Sequence, residues 1–205
     1  PADLQAALRP ATRLIVLTHA SNVVGTRLPL AAAGEIARRH GTLLLADTAQ
    51  TAGACPLDMA GDGIDLLAFT GHKALLGPQG VGGLVIGARV PLDEFRPLLR
   101  GGTGSASERE EQPDFLPDKF EAGTLNAIGL AGLGEGVRFI LQTGVETIRR
   151  RDEELTAQLL AGLSALAGVT VYGTRRAEAQ VATVAFNIAG LSPAGETNPD
   201  AASSR

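Results

Sequence analysis

Cysteine and aromatic residues are scarce in this 205-residue sequence: one Cys, no Trp, one Tyr and six Phe. A single cysteine excludes an internal disulfide framework and fits a reducing, cytoplasmic compartment. No apolar run approaches the roughly 18 residues of a membrane helix, and no secretory leader is recognisable. Positive charge is not in excess either. The 18 Lys+Arg against 22 Asp+Glu leave a formal net charge of −4, so the sequence offers no footprint for nucleic acid or an anionic membrane. The one basic cluster, Arg149-Arg150-Arg151, is followed at once by Asp152, Glu153 and Glu154 and reads as a solvated helix face. Methionine is nearly missing as well. The sequence opens on Pro1 and its sole methionine is Met59, so the start of translation is expected to lie outside it.

What is present suffices for a core, with 44% hydrophobic and 20% charged residues. Short β-rich runs alternate with helical patterns in the first half. Arg13 to Thr18, Thr42 to Ala46, Ile64 to Phe69 and Gly83 to Ile86 read as strands, and Leu30 to His40 as a helix stopped by Gly41. Continuous apolar strands separated by helices predict an α/β fold with a mostly parallel sheet covered on both faces. Gly101 to Pro117 is rich in Gly, Ser, Glu and Pro without periodicity and reads as a loop. Leu125 to Leu141 and Val145 to Ala167 read as helices, the second with Leu155, Leu159, Leu163 and Leu166 on one stripe. Val169 to Tyr172 and Val181 to Ile188 then alternate as antiparallel strands. The pattern predicts a large domain over 1–143, the start of a small α+β domain over 144–191, and a polar, disordered tail over 192–205.

Ligands of open α/β sheets bind at the carboxyl ends of the strands, and polar residues follow three of the apolar runs there. They are Thr18, His19, Ser21 and Asn22; then Asp47 and Gln50; then Thr70, His72 and Lys73. Each has an ordinary reading. Asp47 can cap a following helix, Lys73 can be a surface lysine, and His19 and His72 can be satisfied loop histidines. His40 ends a helix and needs no further role. Taken together they describe a chemistry. A partly buried lysine can act as a nucleophile toward an aldehyde. A carboxylate can hold a ring nitrogen protonated, and hydroxyls near a helix start can hold a phosphate. That set points to pyridoxal phosphate.

The runs Ala46-Asp47-Thr48-Ala49-Gln50, Asp65 through Lys73, and Gly77-Pro78-Gln79-Gly80-Val81-Gly82 resemble the cysteine desulfurases of the class V aminotransferase superfamily. Thr18-His19-Ala20-Ser21-Asn22 upstream and Phe120 through Asn126 downstream fit in order and spacing. The resemblance covers roughly Pro1 to Ala189. It implies an aspartate-aminotransferase-like large domain and pyridoxal 5'-phosphate as cofactor. Lys73 would carry the cofactor and later move the substrate's Cα proton. Asp47 would pair with the pyridine nitrogen, and Gln50 with the phenolic oxygen. Thr70 and His72 would hold the phosphate, and Asn22 the cofactor or the substrate carboxylate. Thr124 would reach the phosphate of a neighbouring subunit, implying a homodimer, with Gly101 to Ser105 near that shared site. The implied reaction takes sulfur from L-cysteine, releases L-alanine and leaves a persulfide for a sulfur-acceptor protein, as in iron–sulfur cluster assembly.

The sequence also departs from that pattern. The family's nucleophilic cysteine belongs on a loop after the run matching Val181 to Ile188, and no cysteine follows Cys55. Cys55, just before Pro56, reads instead as a small packed hydrophobe. The substrate-carboxylate arginine and an N-terminal phosphate-binding region are also unmatched, and Gly195 to Arg205 does not resemble the family. The expectation is therefore a fragment of such an enzyme. A class V aminotransferase, a selenocysteine lyase or another lyase on the same core, and a non-catalytic remnant, stay open as alternatives.

Overall fold

In the computed structural model the described residues are 1–102, 104–106 and 108–192. Of the segments discussed above, Thr103 and almost all of the expected tail lie outside them. The elements run α1 (Ala2–Ala7), β1 (Leu14–Thr18), α2 (Leu30–His40), β2 (Leu43–Asp47), β3 (Leu66–Thr70), β4 (Gly82–Ile86), α3 (Ala127–Thr143), α4 (Val145–Ala165), β5 (Val169–Tyr172) and β6 (Ala185–Ile188). A four-stranded sheet has the order β1-β2-β3-β4. The pairs β1–β2 and β2–β3 are parallel and β3–β4 is antiparallel. β5 and β6 form a separate antiparallel pair. Among the described residues no helix is long and apolar enough to cross a membrane.

Register decides which face is core. Ile15 pairs with Leu44, and Ala46 with Leu67, so these side chains point the same way. All four are buried, and they pack with Leu30, Ala33 and Ala37 of α2 and with Ile64. Full burial of each large aliphatic side chain there contributes about 1.5–3 kcal/mol. At the amino edge of the sheet the buried carboxylate of Asp65 accepts from Leu44 N–H at 2.9 Å and pairs with Arg89 at 3.3 Å.

Three expectations are corrected. The sheet is not covered on both faces by the described residues, since Leu14, Leu84 and Val16 (64% exposed) are open to solvent. β2 and β3 are joined by turns rather than a helix, so Asp47 caps no helix. The leucine stripe of α4 is not its buried face either. Leu155, Leu159 and Leu166 are exposed, whereas Arg149, Thr156 and Leu160 are buried.

Arg149, expected on a solvated face, is only 7% exposed. Its guanidinium donates to the carbonyl oxygens of Gln180 (2.8 Å), Ala177 (3.0 Å) and Glu178 (3.2 Å) and pairs with Glu153 at 2.7 Å. A planar fork with several donors can serve that many acceptors at once; an ammonium cannot. Arg149 thus staples α4 to the 177–180 segment, which forms an isolated bridge to β1's exit turn through Thr26 and Gln180. Arg149→Ala leaves those carbonyls unpaired and is expected to cost roughly 3 kcal/mol in urea denaturation. Arg150→Ala and Arg151→Ala are expected to stay within about 0.5 kcal/mol.

Candidate active site

The in-register parallel strands end at one edge. Thr18 pairs with Asp47 and Asp47 with Ala68, placing Thr18, Asp47 and Ala68 in one row on the face opposite the α2 core, with Thr70 two residues further along β3. Asp47 is half-buried. Its Oδ1 accepts from Ala49 N–H at 2.9 Å, an Asx-type contact that starts the turn carrying Gln50. Thr48 below it is fully buried, its N–H and its hydroxyl both donating to Ala68 O at 2.8 Å. Gln50 is half-buried on the same turn.

After β3 the chain makes a tight excursion. Thr70 Oγ1 and His72 Nδ1 share a hydrogen bond of 2.9 Å. Lys73 lies on a loop closed by Leu76 N–H donating to Lys73 O (2.9 Å) and Gly77 N–H donating to Gly71 O (2.8 Å). The β2 turn and this loop touch. A side chain at Gly53 would place its Cβ 2.5 Å from Ala74 O, so only a glycine lets the Asp47 turn sit against the Lys73 loop.

Lys73 is exposed, not partly buried as expected. A different observation singles it out. The sequence contains two lysines. Lys119 is 6% exposed and donates its ammonium to Leu92 O at 2.7 Å. Lys73 has no ion pair or hydrogen bond to its ammonium among the described residues, so it is the one lysine there free to react. Asn22 is exposed on a turn in which Ser21 Oγ accepts from Val23 and Val24 N–H, each at 3.2 Å. Thr124 is exposed two residues before Asn126, whose side chain caps α3 by accepting from Gly129 N–H. The structure brings Asp47, Gln50, Thr70, His72 and Lys73 to one edge and places Thr124 at the start of α3.

Two contributions escaped the sequence reading. The first is the support behind the lysine loop. Leu133 of α3 lies against Gly77, and a side chain at Gly136 would run into the carbonyl oxygen of Leu75. The signal was the glycine-rich stretch from Gly129 to Gly136, whose spacing leaves a shallow helix face. The second is the burial and the partner of His19, a residue the sequence placed at the strand end and read as a satisfied loop histidine. It is buried, and its Nδ1 shares a 2.9 Å hydrogen bond with Thr51 Oγ1. Burial first, and then the Arg27 guanidinium, bring its pKa down from the ordinary 6.5 to about 4; Asp62 opposes this weakly. Cys55 is buried as expected, and burial pushes its thiol up. The broad concavity of about 570 Å³ lined by Arg13, Leu43 and Arg89 lies by the amino ends of the strands, away from this edge.

Residues 1–198 match the aminotransferase class-V family. The chain belongs to that family. A probable cysteine desulfurase of Halalkalibacterium halodurans is 35% identical over 201 residues, covering 93% of this chain and 46% of the relative. A cysteine desulfurase of Escherichia coli is 36% identical over 181 residues, covering 86% and 43%. Among solved structures, the apo cysteine desulfurase of Thermococcus onnurineus superposes with a TM-score of 0.80 at 32% identity, covering 94% of this chain and 48% of that one. A C-DES lysine-to-alanine mutant with glycine covalently linked to its PLP cofactor also superposes at 0.80, with 32% identity and coverage of 91% and 50%. The chain therefore spans about half the length of these relatives. Their likeness shows the aminotransferase-like fold.

Two outcomes follow from the geometry. Gly136→Val forces a branched side chain into the Leu75 backbone and is expected to cost at least about 1–3 kcal/mol in thermal or urea unfolding. For His19, a folded pKa below the unfolded one means its contribution is complete above pH 6.5 and lost as pH falls toward 4. The stability difference between wild type and His19→Gln should therefore shrink by about 3 kcal/mol across that window.

Proposed function

We propose that this chain is the lysine-bearing part of a pyridoxal-phosphate-dependent cysteine desulfurase. It would act on L-cysteine and release L-alanine, the sulfur passing to a cysteine thiolate as a persulfide. The observation that carries the reading is the pairing of one free lysine, Lys73, with a carboxylate, Asp47, on touching loops at the carboxyl edge of a parallel sheet. The donor set fits the cofactor. An ionised carboxylate suits a cationic ring nitrogen, and a hydroxyl–imidazole pair suits a phosphate. When bound, the cofactor supplies an electron sink for the bonds at the substrate's Cα.

The residues then take distinct parts. Lys73 Nζ would hold the cofactor through its aldehyde group, and as a free amine would move the substrate's Cα proton. Asp47 keeps the ring nitrogen protonated by charge. Its Oδ1 is fixed by Ala49 N–H, which orients the carboxylate before any ligand arrives. Gln50 hydrogen-bonds the phenolic oxygen, and Thr70 and His72, already joined to each other, hold the phosphate. Asn22 meets the cofactor or the substrate carboxylate. Thr124 serves the phosphate of the second subunit in a homodimer. Cys55, buried with its thiol pushed up, is not the sulfur acceptor. On this reading 1–143 belongs to the cofactor-binding domain and 144–191 opens the small domain. A cytoplasmic setting and a separate sulfur-acceptor protein complete the proposal.

The purified chain mixed with pyridoxal phosphate should develop the visible absorbance of a lysine-bound cofactor. Lys73→Ala should abolish it, and Lys119→Ala should keep it where the variant folds. A wild-type chain with no band, or a band that survives Lys73→Ala, would overturn the assignment.

A further inference from the structure

His19 occupies a junction that the functional reading does not use. Its N–H donates to Asp47 O at 2.9 Å, and its carbonyl accepts from Leu28 N–H at 2.7 Å. Its Nδ1 meets Thr51 Oγ1 at 2.9 Å. One buried residue therefore touches the strand end that presents Asp47 and the residue next to Gln50. Thr51 is itself fully buried. Its N–H donates to Thr48 O at 2.9 Å, and Thr48 is anchored on Ala68 O of β3. The chain of contacts runs from β1 through His19 to Thr51, Thr48 and β3, and encloses the Asp47–Gln50 turn.

We propose that His19 is a positioning residue: through Thr51 it sets the Asp47–Gln50 turn in the conformation that receives the cofactor ring. This rests on the functional reading above and deepens it. The chemistry suits the task. A neutral imidazole can donate or accept at Nδ1, whichever the threonine hydroxyl requires. The hydrogen bond is buried, so water cannot replace it when a partner is removed. The charged groups facing the ring are Arg27 and Asp62, and neither is in the Asp47–Gln50 segment.

The test compares the full chain with His19→Gln, Thr51→Val, the double variant, and Leu160→Ala as a buried destabiliser on α4. Two readouts are taken: pyridoxal phosphate affinity from the visible band, and amide hydrogen exchange at residues 48–52 without ligand. His19→Gln and Thr51→Val should each weaken affinity roughly tenfold, the worth of one buried hydrogen bond, and the double variant should be no worse than either single one. Exchange at 48–52 should speed up in all three and stay unchanged in Leu160→Ala. Affinity lost equally in Leu160→Ala, or unchanged exchange at 48–52 in His19→Gln, would overturn the positioning role. If wild type binds no cofactor, the functional reading fails, and the exchange measurement still decides whether His19 sets the turn. If His19→Gln does not fold, Thr51→Val carries both readouts.

Discussion

The structure depends on the level, in-register pairing of three parallel strands. Side chains alternate along a strand, so a slip of one residue would exchange every inward and outward position. Ile15, Leu44, Ala46 and Leu67 are held inward by α2. Their burial is what leaves Thr18, Asp47 and Ala68 on the opposite face. The hydrophobic effect acting on its neighbours thus sets the face on which the carboxylate stands, and Ala49 N–H then orients it there. The turns that follow β2 and β3 inherit that alignment and meet at Gly53 and Ala74.

How much of this is legible in the sequence depends on the kind of constraint. Leu30–His40 and Val169–Tyr172 appear in the structure with the expected bounds, because helical periodicity, a terminal glycine and β-branched alternation are local signals. The site edge was legible for a similar reason: polar residues directly after apolar runs can only sit at strand ends. Where two faces compete for burial, sequence is mute. α4 has a leucine stripe and an arginine-bearing stripe. The structure buries the arginine because three backbone carbonyls converge on it, and carbonyl positions leave no trace in side-chain identity. Lys119 is the same case: one carbonyl, Leu92 O, turns an apparent surface cation into a buried strut. The open face of the sheet was misread because an apolar run shows that a strand can be covered, not that the described residues cover it.

The candidate site combines a prearranged and an open half. Asp47, Thr48 and Thr51 are fixed by backbone amides, carbonyls and a buried imidazole. Lys73 and His72 project from a loop whose rigidity comes from behind, from α3 packed against Gly77 and Leu75. The lysine is therefore exposed at its tip and anchored at its root, an arrangement suited to the role proposed for it.

The reach of the Arg149 staple along the chain separates two scales of assembly. Its carbonyl partners lie 28 to 31 residues away, a loop that closes at modest entropic cost. The Arg27 to Glu178 contact that joins the same segment to β1's exit spans 151 residues. Loop-closure entropy grows with that separation, so the contacts around Arg149 close the shorter loop and the Arg27 contact the longer one. The long-range seam at residues 25–27 and 178–183 joins the two sheets, and of the two closures it carries the larger entropic cost.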